Sequence, residues 1–383
     1  MTIDFDALIN RRDSDSIKWN LFDSDVLPLW VADMDFPSPP PVIEALKERL
    51  NHGVFGYSFP QESTKLSICS WLDRRHGWRV SPEEIVLFPG VVPAFNLVAR
   101  ACTNPGDSVL IQTPAYHPFF EIPSNVKLGI SASSLQKSRD GNYLIDLVEF
   151  EEKILPTTRV FMLCNPHNPT GRVFREEELN SLAEICLENN IIICSDEIHS
   201  DLVYQPNCHI PIASISEEIS QSTITLISPS KSFNLAGLKS SAAIIKNKNL
   251  RESFQTHARG HAGSVNLLGE TAMRAAYDHC EAWLEDLLEY LAANRLLLHN
   301  FVKNELPGVV MNMPEGTYLG WLDFSDAEID NPGDYFLENA GVALNSGSWF
   351  GNEYAQYSRI NFGCPASTLI TALDRIKSAL VST

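Results

Sequence analysis

The chain has 383 residues, of which 44% are hydrophobic and 20% are charged, and its formal net charge at pH 7 is −19. This length predicts about two or three domains, and the apolar content excludes a disordered chain or a small disulfide scaffold. Because a strongly negative surface repels phosphate backbones and acidic lipids, we expect neither a nucleic acid nor a membrane surface as a partner.

The cysteines and the N-terminal sequence predict a cytoplasmic protein. No CxxC pair occurs, and several cysteines lie in apolar stretches, which favours buried free thiols in a reducing compartment. The sequence MTIDFDALINRR lacks the apolar segment of a signal peptide, and no uncharged apolar run reaches about 18 residues, the length of a membrane span. The cysteines are Cys69, Cys102, Cys164, Cys186, Cys194, Cys208, Cys280 and Cys364.

The first forty residues are rich in Asp and Pro, and they predict an arm without regular structure. The prolines at positions 39–41 predict the start of a helix, because proline is tolerated in a first helical turn. The sequence VIEALKERL continues with apolar residues at helical spacing. A second helix is predicted from about Ser63 to His76.

Strands and helices then alternate along the chain. The apolar runs EIVLF, SVLIQ, TRVFMLC, IIICSDE, STITLIS and SAAIIK predict strands, and VVPAFNLVARAC and REEELNSLAEICLEN predict helices between them. Such near-continuous apolar runs are typical of strands covered on both faces, so we predict an α/β fold with a mostly parallel sheet. Ligands bind at the carboxyl ends of such strands, which draws attention to the polar residues that follow them.

The C-terminal part of the chain predicts a second domain. Residues 264–303 have a long helical pattern, which indicates one or two long helices. The last eighty residues combine short strands (TYLGWLDF, SRINFG) with helices (PGDYFLENA, ASTLITALDRIKSAL), an α+β pattern. We therefore predict an arm and part of a small domain in residues 1–48, a large domain in 49–281 and a C-terminal small domain in 282–383.

A lysine motif follows one of the predicted strands. Ser228, Ser230 and Lys231 come directly after STITLIS, and Lys239 lies eight residues beyond Lys231. A lysine flanked by hydroxyls and small residues at a strand end can form a Schiff base with an aldehyde. The hydroxyls and the second cation could hold a phosphate. An ordinary surface loop of Ser and Lys is the alternative.

Two further motifs follow strands. Asn165-Pro-His-Asn168-Pro-Thr-Gly171 comes after RVFMLC, where two Asn-Pro steps and a glycine predict a rigid turn that presents an amide to a ligand. Asp196 ends the strand IIICSD, and a buried carboxylate there is costly unless it is paired, for example with a protonated ring nitrogen. A metal site at Asp196, Glu197 and His199 is a weaker interpretation, because no second cluster of ligands supports it.

Together, these three motifs resemble in order and spacing those of fold-type I pyridoxal-phosphate enzymes of the aminotransferase superfamily, over nearly the whole chain. The resemblance implies bound pyridoxal 5′-phosphate, a large cofactor-binding domain with a mostly parallel central sheet, and a smaller α+β domain. It also assigns roles to single residues. Lys231 would hold the cofactor covalently, Asp196 would pair with its pyridinium nitrogen, Asn168 would bind its phenolic oxygen and Tyr116 would stack on its ring. The phosphate would be bound by Ser228, Ser230, Lys239 and the backbone amides of Gly90, Val91 and Val92.

Four further segments, WVADMDF, FGY, DEIHSD and KSFNLAG, are similar to those of the MalY/PatB group of cystathionine β-lyase-like C–S lyases. This resemblance implies an amino acid as substrate and a homodimer in which Tyr57 reaches the phosphate of the neighbouring subunit. It further implies that Arg359, assisted by the backbone at Ala32, binds the α-carboxylate of the substrate.

One residue departs from the wider superfamily. General aminotransferases usually carry a tyrosine three residues after the aspartate, and this chain has His199, which can donate to the phenolic oxygen or to Asp196. The departure favours β-elimination at a C–S bond, with release of thiol, pyruvate and ammonia. An aminotransferase remains an alternative, as do a non-catalytic sensor that keeps the cofactor and a structural α/β protein without one.

Overall fold

The computed structural model describes residues 3–138 and 141–381. The N-terminal segment holds short regular elements, so the prediction that its first forty residues lack them is wrong in detail. Residues 342–343 of the C-terminal region pair in parallel with residues 27–28, which anchors the arm to the far end of the chain. The elements are α1 (Ile17–Asn20), β1 (Leu27–Pro28), α2 (Pro40–His52) and α3 (Glu62–His76).

Strands and helices alternate through the middle of the chain, as predicted. They are β2 (Ile85–Phe88), α4 (Val91–Cys102), β3 (Ser108–Thr113), α5 (Pro118–Val126), β4 (Gly129–Ser134), β5 (Gln136–Lys137), β6 (Tyr143–Leu144), α6 (Leu147–Glu152), β7 (Thr158–Cys164), α7 (Glu176–Glu188), β8 (Ile192–Asp196), α8 (Glu217–Gln221), β9 (Thr223–Ile227), α9 (Pro229–Ser232), β10 (Ser241–Ile244) and α10 (Lys248–Ala258).

Seven of these strands form one sheet, in the order β2-β10-β9-β8-β7-β3-β4. Strand β10 is antiparallel to both of its neighbours, and the other pairs are parallel. This confirms the predicted mostly parallel sheet. Alternate residues of β7 face opposite sides: Met162 packs into the core cluster that contains α4, and Phe161 packs into the cluster that contains α7. Helices therefore cover both faces, which explains why the strands are apolar along their whole length.

Helix α11 (Leu267–His279) packs mainly against α2 and α3. The last part of the chain forms a smaller α+β unit. Its elements are α12 (Glu281–Glu305), β11 (Val310–Met311), β12 (Leu319–Asp323), α13 (Pro332–Ala340), β13 (Val342–Ala343), β14 (Asn345–Ser346), β15 (Tyr357–Asn361) and α14 (Ala366–Val381). A four-stranded sheet runs in the order β11-β12-β15-β14. Helix α2 continues across the predicted boundary at residue 48, and α12 begins beside the second boundary at residue 281. The division into domains stays a prediction.

The parallel strands converge on one edge of the large sheet. Strands β7, β8 and β9 are neighbours, and their carboxyl ends lead into the Asn168 turn, Asp196 and the Lys231 helix α9. The sheet thus gathers three separate sequence motifs at a single place. Within the described ranges, none of the helices has the length and apolar character needed to cross a membrane.

The Asn168 turn is joined to the smaller unit at Gly171. The carbonyl of Gly171 accepts hydrogen bonds of 2.8 Å from the amides of Glu315 and Gly316. Gly171 has φ of +70°, and an added Cβ would lie 2.6 Å from Cβ and 3.0 Å from Cα of Pro314. Only a residue without a side chain fits this close approach.

We expect Gly171→Ala to destabilise the protein by about 1–3 kcal/mol from backbone strain alone, with the overlap against Pro314 adding to it. Denaturant unfolding would measure the loss. Gly263→Ala is the matched control, because no heavy atom lies within 4 Å of an added Cβ there. Equal stability of the two variants would contradict this interpretation of Gly171.

Candidate active site

A cavity of about 520 Å³ lies where the carboxyl ends of β7, β8 and β9 meet residues of the arm and of the smaller unit. This volume is in the ordinary range for small-molecule sites. Every site residue predicted from the sequence, with the exception of Tyr57, contributes to the wall. These residues are Ala32, Gly90, Val91, Val92, Tyr116, Asn168, Asp196, His199, Ser228, Ser230, Lys231, Lys239 and Arg359.

Lys231 projects its amine into the cavity from helix α9. The Nζ atom donates a 2.6 Å hydrogen bond to the carbonyl of Ala32, in the N-terminal arm. Burial, reinforced by the positive charge of Arg359, lowers the pKa of Lys231 to about 8. A substantial fraction of the side chain is therefore neutral near physiological pH, which is the state that a nucleophilic or basic amine needs.

Asp196 brings a buried carboxylate to the same cavity, with 4% of its surface exposed. Within the described part of the chain, the carboxylate accepts one hydrogen bond, of 3.1 Å, from the amide of Ile198. Burial raises the pKa of Asp196 to about 7, because one amide and the distant Lys231 charge do not replace the lost hydration. The carboxylate is thus ready to receive a cationic ligand group.

Arg359 on β15 brings a buried cation from the smaller unit. Its Nη1 donates to Asn168 Oδ1 and its Nη2 to the carbonyl of Trp30, each at 2.9 Å, and Nη2 also bonds Asn345 Oδ1. All three acceptors are neutral, and the buried Nε atom lacks a partner among the described residues. Burial lowers the pKa of Arg359 to about 10. Such a guanidinium can take up a carboxylate without displacing an acidic neighbour.

Asn168 is oriented by this arginine. Because Asn168 Oδ1 accepts from Arg359, the amino group of the same amide is left to face a ligand. The turn is fixed further by Asn165 Oδ1, which accepts a 3.0 Å bond from the amide of Phe174.

The predicted phosphate end of the cavity differs in part from expectation. The amide of Gly90 donates at 3.0 Å to Ser241 Oγ, so the prediction that it points at a phosphate does not hold in this structure. Val91 and Val92 open helix α4, where the first amides of a helix have no intrahelical acceptor and the helix dipole favours an anion. Ser228 Oγ is also engaged, since it donates to the carbonyl of Ser240 at 2.6 Å.

His199 and Tyr116 complete the walls. Burial, together with the nearby Lys231 and Arg359 charges, lowers the pKa of His199 well below its ordinary value, so the imidazole is neutral. Its buried Nδ1 atom has no partner among residues 3–138 and 141–381. Tyr116 presents a half-buried ring whose edge-to-face neighbour is Phe119, and burial raises its pKa.

Tyr57 is placed elsewhere. It lies in the connection between α2 and α3, where residues 51–63 are all exposed, and its side chain is fully exposed. It cannot contact the cavity of its own chain in this arrangement.

The weaker metal interpretation finds no support in the side-chain directions. Asp196 and His199 line the cavity, whereas Glu197 accepts hydrogen bonds of 2.8 Å from Ser195 Oγ and His209 Nε2. In the chain as described, no group of three or more His, Cys, Asp or Glu side chains is arranged to hold a metal ion.

Sequence reasoning missed several residues of the cavity, namely Asn345, Trp349 and Phe350. Asn345 accepts from Arg359, and the Phe350 ring lies 5.1 Å from the Arg359 guanidinium carbon. Asn345 lies on the two-residue strand β14, and Trp349 and Phe350 lie in the short 3-10 helix that follows it, elements too short to give a periodic signal in the sequence. Trp30 of the N-terminal arm also lines the cavity and offers its carbonyl to Arg359.

Comparison with known proteins identifies the family. Residues 24–376 match the family "Aminotransferase class I and II". Cystathionine β-lyase PatB of Bacillus subtilis is 42% identical over 390 residues, which cover 99% of this chain and 100% of that protein. Cystalysin from Treponema denticola, solved with a pyridoxal 5′-phosphate cofactor, superposes with a TM-score of 0.96 at 35% identity and full coverage of both chains.

A pyridoxal-phosphate-bound structure from Clostridium difficile, described as a putative aminotransferase, superposes with a TM-score of 0.96 at 39% identity over 99% of this chain and 100% of that one. The similarity therefore extends over the fold and the whole length, which includes every element that forms the cavity. This chain belongs to the class I and II aminotransferase family of pyridoxal-phosphate-dependent enzymes.

Proposed function

We propose that this protein is a pyridoxal-phosphate-dependent C–S lyase that carries out β-elimination on cystathionine or a related sulfur amino acid. Pyridoxal-phosphate chemistry on an amino acid is supported by one observation: Lys231, Asp196 and Arg359 place three charged groups around one cavity, and none has a counter-ion at salt-bridge distance within the described residues. The preference for sulfur is supported by the full-length similarity to cystathionine β-lyase PatB.

The cavity suits pyridoxal 5′-phosphate. The buried Asp196 carboxylate would bind the protonated ring nitrogen, and the Asn168 amino group and the neutral His199 ring would face the phenolic oxygen. Val91, Val92, Ser230 and Lys239 would bind the phosphate. Nδ1 of His199, which has no partner in the described part of the chain, and the carboxylate of Asp196 would both gain from such a ligand, because an unsatisfied buried polar group costs about 1–3 kcal/mol.

Different residues of the chain then bind the substrate and move its proton. Arg359 binds the α-carboxylate of the amino acid, with Asn168 and the Trp30 carbonyl holding the guanidinium in place. Bound pyridoxal phosphate supplies an electron sink for negative charge at Cα. Lys231, whose pKa is lowered to about 8, removes the proton from Cα, and Asp196 keeps a proton on the ring nitrogen. Cystathionine and water would yield homocysteine, pyruvate and ammonia.

The proposed activity can be tested directly. We expect the purified holoenzyme to release thiol and pyruvate in equal amounts from cystathionine without any added 2-oxo acid. Lys231→Ala should abolish turnover, and Arg359→Lys should raise KM about tenfold or more, because lysine cannot make the bidentate contact.

The alternative activity, amino transfer, is suggested by the family and by the structure described as a putative aminotransferase. The two differ in what turnover requires. If the enzyme releases no thiol but transfers the amino group of its substrate to an added 2-oxo acid, the lyase proposal is wrong.

The burial of Asp196 leads to a pH prediction for the cofactor-free protein. The pKa of Asp196 rises to about 7 on folding, so the folded state retains a proton that the unfolded state has lost from about pH 4 upward. The stability of the cofactor-free protein therefore falls from this cause as pH rises from about 4 to about 7. Asp196→Asn removes the effect.

We expect cofactor-free Asp196→Asn to match the wild type near pH 4 and to exceed it by a few kcal/mol, at most about 4, above pH 7. The free energy of unfolding in denaturant, measured across this range, would show the divergence. The exposed residue Asp23, substituted as Asp23→Asn, is the control. A constant difference between Asp196→Asn and wild type at every pH would contradict the assignment.

We also propose a homodimer with shared active sites. The exposed connection between α2 and α3 carries Val54, Phe55 and Phe59, which are 62%, 57% and 73% exposed. An apolar stretch of this kind marks an interaction surface. A second copy of the chain is the partner we propose, because it would cover these side chains and bring Tyr57 to the phosphate end of its partner's cavity.

Mixing two inactive variants tests this arrangement. Lys231→Ala supplies an intact Tyr57, and Tyr57→Ala supplies an intact Lys231, so a hybrid dimer contains one complete site. At limiting cofactor, we expect the mixture to recover activity that neither variant has alone. Phe59→Asp should yield monomers by light scattering, whereas Val148→Asp, at an exposed valine of α6, should not. Hybrid dimers without recovered activity would contradict the shared site.

We further propose that the protein is cytoplasmic. All eight cysteines are free thiols, and burial raises the pKa of most of those that lie in the core, which keeps them protonated and unreactive. Cys208 is exposed, which suits a reducing compartment.

A further inference from the structure

The segment that carries Lys231 is short, and its orientation depends on the contacts made by its two ends. Helix α9 spans only four residues, Pro229–Ser232. At its start, Ser228 Oγ accepts a 3.1 Å hydrogen bond from the amide of Ser230 and donates to the carbonyl of Ser240. A single turn has few internal hydrogen bonds, so its orientation depends on the groups that hold each end. Lys231 lies one residue from the other end.

That other end is held by a carboxylate outside the cavity. Ser232, which is fully buried, donates a 2.8 Å hydrogen bond from Oγ to Oδ2 of Asp201. Asp201 is 4% exposed and does not line the cavity that Lys231 enters. Its carboxylate therefore does not face a ligand there, and its direct link to the Lys231 segment is the hydrogen bond from Ser232.

Asp201 is itself fixed by helix α3. Its Oδ1 atom accepts hydrogen bonds from Trp71 Nε1 at 3.0 Å and from His76 Nε2 at 3.2 Å. Burial alone would raise the pKa of Asp201, but the bonds from His76 and Ser232 outweigh it and hold that pKa below its usual value. The carboxylate consequently stays ionised through the neutral range, and a charged acceptor makes the bond from Ser232 stronger than one between neutral groups.

A second carboxylate holds the neighbouring segment in the same way. Glu197, next to Asp196, accepts from Ser195 Oγ and His209 Nε2. The His209 and His76 rings lie 5.2 Å apart with an edge-to-face angle of 78°. The anchors of the Asp196 and Lys231 segments are thus in contact with each other, behind the cavity.

We propose that Asp201 is a positioning residue: by accepting the hydrogen bond from Ser232 it aims the Lys231 amine at the reacting carbon, while Trp71 and His76 fix its carboxylate. This rests on the proposed function, because it assumes that Lys231 removes the Cα proton. Proton transfer is sensitive to position, since a displacement of about 1 Å can cost a hundredfold in rate. Binding of the substrate carboxylate, which depends on Arg359, is not affected.

The test uses the holoenzyme and Ser232→Ala. This change leaves Asp201 Oδ1 bonded to Trp71 and His76 and removes only the bond to Oδ2. We expect kcat to fall roughly tenfold with KM nearly unchanged, and the isotope effect with Cα-deuterated substrate to rise, because proton removal becomes more nearly rate-limiting. When pyridoxal phosphate is added to the cofactor-free variant, the visible absorbance of the bound cofactor should develop more slowly than in the wild type, because covalent attachment of the cofactor also needs the Lys231 amine.

Two further variants separate positioning from stability. Ser67→Ala also removes a buried serine hydroxyl, one that bonds the carbonyl of Ser63 within α3, and it should leave the isotope effect and the absorbance rate as in wild type. In an Asp201→Asn background the charged acceptor is lost and at most a weaker neutral bond remains, so adding Ser232→Ala should cost less than it does in the wild type.

The outcomes distinguish this inference from the proposed function. If the wild type neither releases thiol nor exchanges the Cα hydrogen with solvent, the proposed function fails. If the wild type does both, and Ser232→Ala lowers only the melting temperature with an unchanged isotope effect and absorbance rate, then Asp201 is merely structural and the inference is wrong. Fully additive losses in the double variant would also overturn it.

Discussion

The arrangement of this molecule depends on the burial of charged groups that the protein itself does not neutralise. Asp196, Lys231 and Arg359 line one cavity, and burial shifts the pKa of each toward its neutral form, to about 7, 8 and 10 respectively. Hydration is lost, and none of the residues described in the structure returns an equivalent ion pair, which destabilises the folded state. A ligand that carries a ring cation and a carboxylate would supply partners for these groups, so the free energy lost on burying them would be recovered as affinity when it binds.

The fold tolerates the unfavourable free energy of burying these charges because regular elements hold the charged residues in place. Asp196 ends a strand in the middle of the seven-stranded sheet, and Arg359 lies on the buried strand β15 of the other sheet. Asn168 joins the two units, since it follows β7 and accepts from Arg359. This bond adds to those that the Gly171 carbonyl accepts from the amides of Glu315 and Gly316. Helix α9 is the weakest support, which is why its tethers at Ser228 and Ser232 matter for Lys231.

Sequence reasoning was most successful where the signal is local. The runs that form β7, β8 and β9 are apolar throughout, and the motifs that follow them carry their own turn residues, so both strands and site residues were predictable. Strand β4 was missed because its sequence, GISASS, is not apolar, and α5 because Pro123 lies inside it. The partner of the Gly90 amide, Ser241, is 151 residues away, and no local pattern indicates such a pairing. No local pattern marks Asn345 as a residue of the cavity or Asp201 as the acceptor for Ser232, because both partners are distant in the sequence.

The N-terminal arm holds the Arg359 and Lys231 cations with backbone carbonyls and not with carboxylates. Lys18, which is fully buried, and Arg11 both pair with Asp35, at 2.8 Å and 2.6 Å, and Arg11 also pairs with Asp33. These ion pairs fix the backbone that offers the Trp30 and Ala32 carbonyls to Arg359 and Lys231. A carboxylate in place of those carbonyls would bind either cation more tightly, but it would compete with an incoming substrate carboxylate and would raise the pKa of the lysine. Neutral carbonyls orient the Arg359 guanidinium and the Lys231 amine and leave their positive charges available to a ligand. The acidic residues Asp33 and Asp35 therefore pair with other cations of the arm and do not bind these two groups.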